Sequence, residues 1–129
     1  MKAQQIKYFS SYLASSTAGS TITLTPLNSG YADIYVQIFN SSIFQAATGG
    51  DKFILPNPTD KSSYLFTTAN TEDNHVYIPP QNSNEELIIV AAAYALSDVK
   101  FIILSTSSQS AILLQPGNET IFIIYNFIP

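Results

Sequence analysis

An all-β fold, an antiparallel β-sandwich or jelly-roll of about eight strands, is what the sequence predicts, and three observations predict it. Apolar and polar residues alternate in several short runs, most clearly within residues 22–39. Clusters of Gly, Pro, Asn, Asp and Ser punctuate the chain about every ten residues. No segment carries the periodicity of an amphipathic helix.

Residues 6–13, with the pair Tyr8-Phe9, predict a first strand, and residues 14–20 a polar turn after it. Next, Ile22 and Leu24 alternate with Thr21, Thr23 and Thr25, and Ile34, Val36 and Ile38 alternate with Tyr35 and Gln37. Two strands thus face one core, parted by the breaker cluster Pro26, Asn28, Ser29 and Gly30. Residues 40–61 form the longest connection, with turn chemistry at 49–51 and 56–60 and a short edge strand expected at 52–55. Residues 63–68 and 75–78 predict short strands about a polar loop, and Pro79-Pro80 stops the second. Residues 86–93, ELIIVAAA, are a nearly continuous apolar run that suits a central strand, because Ile88, Ile89 and Val90 favour sheet. Residues 99–105 place Val99, Phe101 and Ile103 on one face. A Ser/Thr-rich hinge, a strand at 111–115, a Pro116-Gly117 turn and a last strand at 120–127 complete the chain. The run Ile121-Phe122-Ile123-Ile124-Tyr125 echoes the aromatic first strand, as the start of a next repeat does.

The length, 129 residues, fits one domain with its own core. Hydrophobic residues make up 46% and charged residues 11%, so Ser, Thr, Asn and Gln must cover much of the surface. Such a surface suits a crowded setting or permanent packing against neighbours. The net charge of -4 and the absence of Arg leave no basic stripe for phosphates, which excludes nucleic acid as an expected partner. There are no cysteines, hence no disulfide, thiolate metal site or Cys nucleophile. The start, MKAQQIKYFSSYL, lacks the apolar run of a signal peptide, and the longest apolar run, 87–96, is about half a membrane span. A soluble chain is expected, either intracellular or part of a longer protein.

Tyr8-Phe9, then Ile22-Thr23-Leu24-Thr25-Pro26-Leu27, then Gly30-Tyr31-Ala32-Asp33-Ile34-Tyr35-Val36 resemble the pre-peptidase C-terminal domains, whose hallmark is an aromatic strand, an LTL-type strand and a G-x-A-D-L-Y-V segment. Pro58-Thr59 before Tyr64, then Val76-Tyr77-Ile78-Pro79, Leu87-Ile88-Ile89-Val90 and Val99-Lys100-Phe101-Ile102-Ile103 follow in that family's order. The resemblance covers residues 6–105, leaving 106–129 as a last strand of the domain, the start of a next repeat or a strand given to a neighbour. It departs at Asn84-Glu85-Glu86, where the family has a Gly and paired aromatics. The resemblance implies a non-catalytic module of a secreted or cell-surface protein, similar to collagen- or polysaccharide-binding units. Calcium-binding members carry acidic residues before the first strand. Residues 1–5 hold no carboxylate, so calcium is not carried over.

Among single residues, Asp33 either ligates a cation with Asp98 or accepts backbone N–H bonds where its strand begins. His75 has no second His or Cys for a metal and reads as a strand-edge residue. Ser97 and Lys100 match an S-x-x-K pattern, but on a strand start, without the helical turn that pattern needs. Glu72-Asp73-Asn74 lies in a loop and reads first as a solvated turn, with a contribution to calcium binding as the alternative. Asn40 and Asn118 open formal glycosylation sequons, meaningful only in a secreted protein. Tyr31, Tyr35, Tyr64 and Tyr94, with Phe44, form either a platform for sugar or protein or part of the core. The expected function is a non-catalytic structural or adhesive unit of an extracellular assembly, binding other domains or copies of itself. The alternatives are a polysaccharide- or fibrous-protein-binding module, and a self-assembling subunit whose terminal strand completes a neighbour's sheet.

Overall fold

The computed structural model describes residues 1–12, 19–40, 54–81, 86–107 and 111–113. Among them run β1 Ile6–Tyr12, β2 Ser20–Pro26, β3 Ala32–Asn40, β4 Phe66–Thr67, β5 His75–Ile78, β6 Leu87–Ala95, β7 Phe101–Ser107 and β8 Ala111–Leu113. Sheet A is ordered β1-β6-β3-β4 and sheet B β5-β2-β7-β8, each of four strands. Every ladder is antiparallel, so the protein is the β-sandwich that the alternation predicts. Apart from β3 to β4 and β7 to β8, each connection carries the chain from one sheet to the other. Among the described residues no helix is long and apolar enough to cross a membrane.

The two strands on either side of Gly30 belong to different sheets and face each other across the core. Ile22 and Leu24 of β2 and Ile34 and Val36 of β3 are fully buried in one cluster, joined by Phe9 of β1 and Ile103 of β7. β6 lies between β1 and β3, with Ile88 through Ala93 buried on both faces, which explains its lack of polar alternation. Its alanines make room for larger neighbours. Ala91 stands opposite Phe9 and Val36 on the core side, and Ala92 opposite Tyr8 and Tyr35 on the other.

That other, outer face of sheet A is covered as well. Ile88 and Val90 pack there with Tyr8, Phe39 and Leu55. The Tyr8 hydroxyl donates to the Pro56 carbonyl at 3.1 Å, and the Gln37 amide to that of Ser63 at 3.2 Å. The long connection therefore crosses sheet A at residues 55–64. Here the strand expected over 63–68 gives way to a single 3-10 turn, Lys61–Ser63, followed by the two-residue β4. Local side-chain bonds select the turn. The Asp60 carboxylate accepts from the Ser62 N–H at 3.0 Å, and the Ser63 hydroxyl donates to the Asp60 carbonyl at 2.6 Å. Ile54 and Leu55 are not in a strand, and the rest of the edge strand expected at 52–55 lies outside the described residues.

Two other boundaries move. Pro26, expected as a breaker, ends β2 opposite Phe101, a terminal position where its missing N–H costs no interior ladder bond. β7 starts at Phe101 and not at Val99, because the Val99 backbone is occupied elsewhere. Its carbonyl accepts from the Met1 amino group at 2.7 Å, and its N–H donates to the Met1 carbonyl at 2.8 Å. Sheet B continues past residue 105 through Ser107 and β8, so the first part of the segment 106–129 belongs to the sandwich. The expected strand 120–127, its echo of β1 and Asn118 lie outside the described residues.

The N-terminal residues form a clasp on the β6–β7 turn. The Asp98 carboxylate accepts from the Ala3 N–H at 2.9 Å and meets the Lys2 ammonium at 3.5 Å. The Ala3 bond, then the Lys2 charge, hold Asp98 below the usual carboxylate range. A depressed folded pKa contributes stability above the unfolded value and loses it as pH falls through the folded one. The clasp is thus closed at neutral pH and expected to open as pH drops below about 4. Amide shifts of Ala3 and Val99, followed by NMR from pH 7 downward, should report that transition, and Asp98→Asn should abolish it. Persistence of the transition in the variant would assign it to another group.

Candidate functional site: a tyrosine cluster around Asp33

Strand pairing assembles the site. β3 and β6 place Asp33 opposite Tyr94 and Tyr35 opposite Ala92. Directly opposed residues share a face, and Ile34 and Val36 take the core side, so Asp33, Tyr35 and Tyr94 stand on the outer face of sheet A. Tyr64, leaving the 3-10 turn, meets the Tyr35 ring edge-on, with centroids 4.9 Å apart and planes at 71°. Tyr31 lies two residues before Asp33. Its hydroxyl donates to the Asp73 carbonyl at 3.0 Å, its N–H donates to the Ser97 hydroxyl at 3.0 Å, and its carbonyl accepts from the Leu96 N–H at 2.9 Å. The structure therefore brings together all four tyrosines and Asp33.

Electrostatics tie them into one group. The Tyr35 phenol is raised above its ordinary pKa by burial, then by the charge of Asp33 and by Tyr64 and Tyr94. Burial and then the Asp33 charge raise Tyr31 in the same way. The Asp33 carboxylate is thus felt at both hydroxyls. Asp33 itself is only 7% exposed. Its Oδ1 accepts from the Thr68 hydroxyl at 2.9 Å, and the Thr68 Oγ1 in turn accepts from the Ile34 N–H at 3.0 Å. Asp33 reaches the backbone through Thr68, in place of the direct N–H bonds expected at a strand start. Among the described residues no cation pairs with it.

Asp98 sits in a different setting, its carboxylate engaged by residues 2 and 3. Asp33 and Asp98 share no partner, and the described residues contain no group of three His, Cys, Asp or Glu able to hold a metal ion. His75 is exposed beside Asn74. Asp73 and Asn74 lend backbone carbonyls, to Tyr31 and to the Leu24 N–H respectively. Asn40 ends β3 opposite Leu87, and the rest of its sequon, with Phe44, lies outside the described residues.

Among the tyrosines, Tyr35 is 6% exposed and belongs to the packing, whereas Tyr31, Tyr64 and Tyr94 are half-buried and present ring surface. Sequence reasoning misses Thr68, because only the pairing of β4 on β3 brings it to Asp33. The site offers aromatic faces, phenol hydroxyls and one enclosed carboxylate, a set suited to holding a ligand by contact and charge. Comparison of the chain with protein-family models, curated proteins and solved structures gives no match, so the likeness to pre-peptidase C-terminal domains rests on the residues quoted above.

Proposed function

We propose that the chain is a non-catalytic adhesive module of a larger extracellular or cell-surface assembly, and that it holds a fibrous protein or a polysaccharide on the outer face of sheet A. The observation that supports this reading is the convergence of Tyr31, Tyr64 and Tyr94 on one face with Asp33. Tyrosine gives a large, stiff contact area with a polar tip at little conformational cost, which is why it anchors recognition surfaces. A chain with only 11% charged residues also keeps little charge to desolvate when it docks.

The rim tyrosines make the test, since Tyr35 is part of the packing. Tyr31→Ala and Tyr94→Ala are each expected to weaken retention on collagen or on a polysaccharide column by about tenfold, the size of an interface hot spot, with the thermal midpoint nearly unchanged. Loss of retention in step with loss of stability, or a wild-type protein retained on neither matrix, sinks the reading.

A further inference from the structure

We propose that the cluster around Asp33 is a receptor for an alkylammonium group, the lysine side chain of a partner protein. This rests on the adhesive reading and names the chemistry that its surface selects.

An enclosed carboxylate is costly to keep ionised unless a positive charge meets it. Asp33 is 7% exposed, and the groups that meet it among the described residues, the Thr68 hydroxyl and the Tyr31 phenol, are neutral. The chain supplies no Arg, and the lysine that forms an ion pair among the described residues, Lys2, is spent on Asp98. Among the described residues no cation supplies the counter-charge, and a partner's ammonium would. The walls fit the same guest. Tyr94 faces Asp33 directly across the ladder, and Tyr31 lies close enough for the carboxylate to perturb its phenol. Aromatic faces carry negative potential and attract an ammonium, and a carboxylate at the base adds to that attraction. A neutral sugar would stack on the same rings but leave the enclosed anion without a counter-charge, so the carboxylate favours the amine. The net charge of -4 draws cations toward the domain at long range.

The test is an NMR titration of the whole chain with N-acetyl-lysine methylamide, beside N-acetyl-norleucine methylamide and maltose as neutral probes. Amide shifts at Asp33, Thr68 and Tyr94 are expected with the lysine derivative alone. Asp33→Asn keeps an acceptor for Thr68 and removes the charge. It should weaken lysine binding by about tenfold or more while melting near the wild-type temperature. Should that variant fail to fold, Tyr94→Leu removes a ring without touching the Thr68 bond and should weaken binding, with Tyr94→Phe restoring it. Equal binding of the lysine and norleucine derivatives, binding of maltose in their place, or undiminished lysine binding in Asp33→Asn overturns the proposal. Retention of Asp33→Asn on collagen or polysaccharide at the wild-type level discards the amine receptor and leaves the adhesive reading standing. Wild-type protein that is retained on neither matrix discards both.

Discussion

Gly30→Ala is expected to destabilise the domain by about 3 kcal/mol or more, the upper end of what overpacking costs. Gly30 lies where the β2–β3 loop passes the β6–β7 turn. A Cβ there would run into the Asp98 carbonyl oxygen, with the Asp98 carbonyl carbon at 2.7 Å and the Val99 Cα at 2.8 Å. All three are backbone atoms, so no side-chain rotation relieves the clash. Nor can either strand of chain move away cheaply. The Asn28 side-chain oxygen accepts from the Gly30 N–H at 2.9 Å, while Val99 is bonded at both backbone groups to Met1. Gly19→Ala is the internal control. Its Cβ would meet the Tyr77 ring, but Tyr77 is 55% exposed and can swing outward, so a loss of about 1 kcal/mol or less is expected. Urea midpoints of the two variants decide the matter, and similar losses would show that the close approach at Gly30 is not what constrains the loops.

The fold was legible where burial alone sets the pattern. Ile22 and Leu24 against Thr21 and Thr23 mark a strand with one face in the core, and the unbroken apolar run at Ile88–Ala93 marks one buried on both. Legibility failed where backbone groups are taken by distant chain. Nothing within residues 99–105 says that Met1 will occupy Val99 and delay β7. The strand expected over 63–68 carries good β formers, yet the short-range bonds of Asp60, Ser62 and Ser63 win at its start.

The candidate site divides in the same way. Asp33, Tyr35 and Tyr31 share a local spacing of two, so the sequence places them on one face unaided. Tyr94 and Tyr64 join only through register and through the crossing segment, both of which are long-range facts. Tyr35 illustrates why residue type alone misleads. Opposite Ala92 and against Tyr64 it is packed under its neighbours, whereas Tyr94, opposite the short Asp33, keeps part of its surface open. Coverage by Tyr64 of the crossing segment, and not the size of the facing residue, makes Tyr35 wall while Tyr94 stays rim.

Ile34→Ala should cost about 4 kcal/mol, toward the upper part of the range for large-to-small core substitutions, and Ile34→Val about 1 kcal/mol. Ile34 has no exposed surface. Its direct partner on β6 is Ala93, with Ala32 and Ala95 in the same cluster, so the short side chains beside it on sheet A are unable to fill the space that truncation opens. The backbone cannot settle inward either, because Thr68 bonds the Ile34 N–H through its hydroxyl and the Ile34 carbonyl through its own N–H. That same Thr68 hydroxyl donates to Asp33, which links core and cluster through a single side chain. Chemical denaturation of both variants tests the magnitude against a total stability of about 5–15 kcal/mol for a domain of this size. An Ile34→Ala loss no larger than that of Ile34→Val would mean that the two sheets close over the cavity, and that the alanines of β6 do not fix their spacing.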